Sequence, residues 1–192
     1  MKKRISQIIA FCVLAAVVLS VVFCAIIKID FMPQMKLPEY PEVIQITDAE
    51  AGGIYESLSE DTYKNFVIKF NDSFKLSVLN SLFSGKIGKK IETPVYTSKN
   101  PNTISGSGYQ VLFVFAEEQT LKDNGKEVTV AKNSTETVKF NRLKFYVEAD
   151  KGLNENITLY FYNNLSYYYS IKTMANFDAL YNFIKDIPMF AD

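Results

Sequence analysis

Histidine and tryptophan are both missing from the 192 residues of this chain. Without imidazole there is no Ser–His or Cys–His nucleophile pair, no histidine general acid or base and no imidazole metal ligand. The only cysteines, Cys12 and Cys24, both fall in one apolar run near the N-terminus. The rest of the chain therefore holds together without disulfides. Zinc, copper, haem and iron–sulfur sites lack their usual ligands there. Glycine is sparse, and neither Gly52-Gly53 nor Gly106-Ser107-Gly108 matches a phosphate-binding fingerprint. No cofactor and no metal is expected. Basic and acidic residues balance at 21 each, which argues against a nucleic-acid partner. What remains open is carboxylate, Lys, Tyr or Ser–Lys chemistry, or oxygen ligation of a hard cation. Ser170 to Lys172 and Ser84 to Lys86 have the wrong spacing for a Ser-x-x-Lys nucleophile.

What the chain does have is a long hydrophobic segment. Met1-Lys2-Lys3-Arg4 leads into an apolar run from Ile8 to Ile27, broken only by Ser20. As a helix at about 1.5 Å per residue this run spans roughly 30 Å, the hydrocarbon thickness of a bilayer. A cleaved signal peptide would have a shorter core and small residues before the cut. Here Val21, Val22, Phe23, Ile26 and Ile27 crowd the end. Lipidation of Cys24 would need a small residue where Phe23 stands. The expectation is an uncleaved single-pass anchor. Lys2, Lys3 and Arg4 outweigh Lys28, so the N-terminus is expected in the cytoplasm and the remainder outside the cell membrane. Beyond the anchor, 18 basic residues face 21 acidic ones, too mixed a charge for attachment to anionic lipid by net field alone.

Three regions are expected. Residues 1–28 form the cytoplasmic tip and anchor, 29–41 a stalk containing Pro33, Pro38 and Pro41, and 42–192 an extracytoplasmic domain. Val43–Thr47 alternates as a first strand, Ile54-Tyr55 is a short second one, and 65–70 reads as a third. Asn71 or Asp72 is a plausible N-cap for a helix carrying Phe74, Val78, Leu79, Leu82 and Phe83, stopped by Gly85. Residues 86–108 read as a long loop with a strand near 93–97. From Tyr109 a strand meander follows. Tyr109–Glu117 is its central strand, and Asp123-Asn124-Gly125 makes a tight turn. A strand over 135–149 changes parity at Asn141-Arg142, which suggests a β-bulge. Residues 156–162 and 166–172 form a last hairpin. Phe177, Leu180, Tyr181 and Ile184 form an amphipathic helix capped near Thr173 or Asn176. The fold class expected is α+β: an antiparallel meander with two short helices, preceded by one transmembrane helix.

Two features are candidates for a binding surface. Tyr160, Tyr162 and Tyr168 share one face of the last hairpin, a platform for a glycan, peptide or partner. The competing reading is that these aromatics simply cover the core. Lys86, Lys89 and Lys90 lie in the long loop and would meet an anionic wall polymer or headgroup; a solvated loop is the alternative. Carboxylates cluster at Glu117-Glu118, at Glu148 with Asp150, and at Asp48, Glu50 and Glu56. A hydrolase would need two of them across one cleft, and neighbours such as Glu117 and Glu118 should point to opposite sheet faces. Asn71, Asn133, Asn156 and Asn164 begin N-x-Ser/Thr sequons, but the Lys-, Asn-, Ile-, Tyr- and Phe-rich composition reads as an AT-rich bacterial genome, where sequons carry no meaning.

Val43–Thr47, Leu76–Phe83, Thr93-Pro94 and Tyr167–Ile171, placed after one anchor and a proline stalk, resemble small single-pass, anchored domains of Gram-positive bacteria with no assigned activity. The resemblance covers under half the chain and implies localisation only. The combined expectation is a non-enzymatic binding or accessory domain at the membrane that contacts another envelope protein. The alternatives are wall-polymer or peptide binding through the tyrosines and, less favoured, a carboxylate hydrolase.

Overall fold

The computed structural model describes residues 2–30, 41–49, 52, 54–55, 59–77, 95–97, 108–123, 126–131, 133–149, 151–163 and 168–187. Helix α1 (Lys2–Ile26) is followed at once by strand β1 (Lys28–Asp30). The domain then runs β2 (Val43–Asp48), β3 (Ile54–Tyr55), α2 (Glu60–Ser73), β4 (Lys75–Ser77), β5 (Val95–Thr97) and β6 (Tyr109–Thr120). It continues through β7 (Lys122–Asp123), β8 (Lys126–Glu127), β9 (Lys139–Val147), β10 (Leu153–Tyr162) and β11 (Tyr168–Asn176), and ends in α3 (Asp178–Lys185). Seven strands make one antiparallel sheet in the order β3-β2-β6-β9-β10-β11-β5. The α+β expectation and the meander from β6 onward both hold.

The helices pack on one sheet face. Residues alternate along the strands, so Ile44 and Ile46, Val111, Phe113 and Phe115, Leu143 and Phe145, and Leu159 and Phe161 are buried beneath α2 and α3. Phe70 of α2 sits at the centre. Its ring centroid lies 4.6 Å from Phe145, 4.9 Å from Phe113 and 5.1 Å from Phe74. Phe177 joins from the start of α3, at 5.7 Å from Phe145. These tilted and edge-on contacts suit the charge distribution of aromatic rings and add to the area they bury.

Residues 65–70 were expected as a strand and are helical. Ser59 Oγ accepts the Thr62 N–H at 3.3 Å, and Glu60 and Asp61 occupy the first turn, where negative charge is favoured. Tyr63, Phe66, Val67, Phe70 and Phe74 then recur at helical spacing and meet the core. In the short window 65–70 the same residues read as a strand. The helix expected to start at Asn71 or Asp72 is also displaced. Asn71, Asp72 and Ser73 end α2, Phe74 caps it, and Lys75–Ser77 is a strand. The remainder of that expected helix, from Val78, lies outside the described residues.

The parity change at Asn141 is a bulge, with its extra residues on the partner strand. Val114 pairs with Arg142 and Gln119 with Phe140, so residues 115–118 of β6 stand against Asn141 alone. Glu117 and Glu118 sit in this bulge and are both exposed. The Asp123↔Lys126 pair brackets two residues, as the expected tight turn requires. Strand β9 is shorter than the expected 135–149, since only an isolated bridge, Thr129↔Thr137, precedes it. At the C-terminal helix the N-cap position falls to Phe177, one residue past the expected Asn176, without a side-chain cap hydrogen bond; Asn176 Oδ1 accepts the Asp178 N–H at 2.9 Å from just outside the helix. Gly108, at φ +76°, starts β6 where an added Cβ would lie 2.4 Å from the Val147 carbonyl oxygen, so this position requires glycine.

Ser6–Ile26 is long and apolar enough to cross a membrane and is unburied by the domain, a property shared by anchors and signal sequences. Its C-terminal end is not separated from the domain by a free spacer from residue 29 onward. Lys28, Ile29 and Asp30 pair with Ser77, Leu76 and Lys75. Residues 31–40, which hold two of the three stalk prolines, lie outside the described residues.

Candidate functional site

The sheet face turned away from α2 and α3 carries a different chemistry. Past the bulge, β9 turns Leu143, Phe145 and Val147 toward the helices, which sends Arg142, Lys144 and Tyr146 to the opposite face. The ladders extend this into cross-strand rows. One row runs Gln45, Leu112, Lys144, Tyr160, Ser170. The next runs Val43, Val114, Arg142, Tyr162, with the backbone of Tyr168 across from Tyr162. A third holds Thr47, Gln110 and Tyr146.

Within this cluster the Arg142 guanidinium carbon lies 5.9 Å from the Tyr162 ring centroid, and the Lys144 ammonium 5.9 Å from that of Tyr146. Both are cation–π distances. The Tyr146 hydroxyl donates to Gln110 Oε1 at 3.1 Å. Lys144 is only 2 % exposed. Burial disfavours its charged form and lowers its amine from 10.5 to about 8. Burial, then the neighbouring Tyr160 and Tyr162 phenols, pushes the Tyr146 hydroxyl up to about 12. Burial also raises Tyr162, against the opposing pull of Arg142. At neutral pH the face thus holds neutral phenols around two cations, with Lys144 and Tyr162 buried and Arg142, Tyr146 and Tyr160 partly exposed.

The structure brings two of the three tyrosine candidates into this cluster. Tyr160 is half-buried and Tyr162 buried, so the tyrosines form part of a packed polar layer. Tyr168 takes the register position across from Tyr162. Lys86, Lys89 and Lys90 lie outside the described residues. Sequence reading missed Arg142, Lys144 and Tyr146. The signal was present: three even-numbered residues alternate with Leu143, Phe145 and Val147 in the strand just before the tyrosine hairpin, so they had to neighbour Tyr160 and Tyr162.

Of the carboxylate clusters, Glu50, Glu56 and Asp150 lie outside the described residues. Glu118 pairs with Lys139 at 3.3 Å and Glu148 with Lys151 at 3.2 Å, both at the surface. No group of three or more His, Cys, Asp or Glu side chains suited to a metal occurs among the described residues. Ser170 shares the cross-strand row of Lys144, two strands away across Tyr160. In α1 the Ser20 hydroxyl is taken up locally, donating to the Ala16 carbonyl at 2.8 Å. Compared with known protein families, with characterised proteins and with solved structures, the chain matches none.

Proposed function

We propose that this chain is a single-pass membrane protein, N-terminus in the cytoplasm, that holds a non-enzymatic binding domain on the outer surface of a bacterial cell membrane. Its partner is another envelope protein, engaged through the sheet face built on Arg142, Lys144, Tyr146, Tyr160 and Tyr162. One observation carries the reading: the apolar helix runs straight into a ladder with the domain, Lys28↔Ser77 to Asp30↔Lys75, so span and domain are joined. A tethered domain gains local concentration for a neighbour in the same membrane. The lack of histidine and of cysteine beyond α1 supports a non-catalytic role. The test is in-membrane crosslinking of the full-length protein in its native host, with an unrelated domain on the same helix as control. Reproducible enrichment of one envelope protein over that control is expected; equal recovery from both overturns the reading.

A second reading is favoured by the same face. Two cations among neutral phenols also suit an anionic or hydroxyl-rich wall polymer. Co-sedimentation with purified cell wall separates the two: retention that Arg142→Gln weakens supports the polymer, and no retention leaves the protein partner.

A further inference from the structure

Where β1 meets the rest of the fold, a cavity of about 510 Å³ opens between the end of α2, strand β4 and the start of α3. This volume is in the range of small-ligand sites. Three lysines line it, Lys28, Lys69 and Lys75, with two carboxylates, Asp72 and Asp178. Both carboxylates are engaged. Asp72 takes the Lys75 ammonium at 2.7 Å, and Asp178 accepts the Gly152 N–H at 3.1 Å. The Lys69 ammonium lies 5.3 Å from the Phe183 ring centroid, a cation–π distance. The lining therefore carries a positive excess, with Ser73, Ser77 and Asn176 adding polar groups.

The depth of this cavity follows from Lys28. It is the first charged residue after the 21-residue apolar stretch and also a wall of the cavity. A span ending at Ile26 places Lys28 two residues on, in the headgroup layer, where lysine side chains prefer to sit. The Lys28↔Ser77 and Asp30↔Lys75 pairs bring β4, and with it the opposite wall, to the same level. On the anchored reading, this holds a pocket with excess positive charge at the level of the lipid phosphates.

Resting on the anchored reading above, we propose that this cavity binds a phosphate group carried by an anionic phospholipid headgroup. Lys28 and Lys69 supply the charge, and Leu76, also in the lining, gives an apolar part of the wall. Binding would fix the domain against the bilayer and orient its sheet for a partner.

The experiment uses the full chain with p-benzoylphenylalanine in place of Ala179, an exposed residue of the lining. Ala131, exposed and outside the lining, serves as the control position. The protein is reconstituted in phosphatidylcholine vesicles with or without phosphatidylglycerol, insertion is checked by flotation, and lipid adducts are read by mass spectrometry after irradiation. The expected result is phosphatidylglycerol adducts from position 179 at about tenfold over those from position 131, reduced about tenfold in Lys28→Gln/Lys69→Gln. Inserted protein whose adducts ignore lipid charge or both lysine changes overturns the proposal. Loss of adducts on adding soluble glycerol phosphate would assign the cavity to a free phosphate ligand and overturn the lipid assignment. Failure to float with the vesicles would instead sink the anchored reading, and this proposal with it.

Discussion

The two faces of the one sheet are built from the same strands and do opposite work. Toward α2 and α3, alternate residues are Phe113, Phe145, Leu143, Leu159 and Phe161, all buried among rings. Away from the helices, the residues between them are Gln110, Arg142, Lys144, Tyr146, Tyr160 and Tyr162. The first face gains stability from dispersion and apolar burial that demand no partner outside the domain. The second keeps a buried amine and several phenols, groups whose desolvation costs free energy. A domain selected for stability alone would not need them, which is why the outer face is the candidate for recognition.

The comparison is broken most severely at Phe70, which touches rings from both the sheet and α3. Phe70→Ala is expected to destabilise the domain by about 3–5 kcal/mol in denaturant unfolding, from lost burial and the cavity left behind. A cost under about 1 kcal/mol would mean that the two layers are not packed as described.

Lys144→Met should act in the opposite direction. Removing a buried amine whose charged form is disfavoured is expected to raise stability at pH 7 by about 1–3 kcal/mol. If Met at this position destabilises, Lys144 is held by interactions that outweigh its burial.

The pH profile sharpens the contrast further. Between about 8 and 10.5 the unfolded chain holds a proton on Lys144 that the folded chain has released, so stability rises with pH across that window. Below about 8 both states are protonated and the full penalty stands. Tyr146 works with the other sign. Its raised value keeps the folded phenol neutral while the unfolded one ionises above 10, so stability falls as pH climbs from 10 toward about 12. Unfolding measured from pH 7 to 10 should show a rise above about 8 in the wild type that Lys144→Met removes. A profile identical in both proteins would refute the buried amine.

The smallest effect is expected at the rim of the polar face. Arg142→Gln removes the cation from the Tyr162 ring and should cost about 0.5–1 kcal/mol. Its effect on partner capture should be larger than its effect on stability.

Much of this was legible in the chain. The apolar run of α1, the alternation of β2, the apolar run of β6, the pairing on either side of Asn124-Gly125 and the spacing of Phe177 to Ile184 are local patterns, and each has its element in the structure. Helix α2 was not recognised because its cap, Ser59, and its acidic first turn lie well before the apolar residues that looked like a strand. Without that cap, 65–70 gave too short a window to tell the two periods apart. The bulge was visible as a parity change in β9, but the extra residues on β6 become visible only once the two strands are paired. Of the polar face, the tyrosines stood out by type. Lys144 did not, because an isolated lysine in a strand is usually a solvated one, and its burial depends on neighbours from other strands. The β1–β4 ladder joins residues more than forty positions apart and leaves no local signature.

The central claim is that the polar sheet face meets a partner at the membrane. The most direct measurement places a photo-crosslinking residue at Tyr160, or at Ile68 on the exposed side of α2, in the full-length protein within its native host. The account predicts one reproducible envelope-protein adduct from position 160 and none from position 68. Adducts from position 68 alone, or the same products from both, would contradict it.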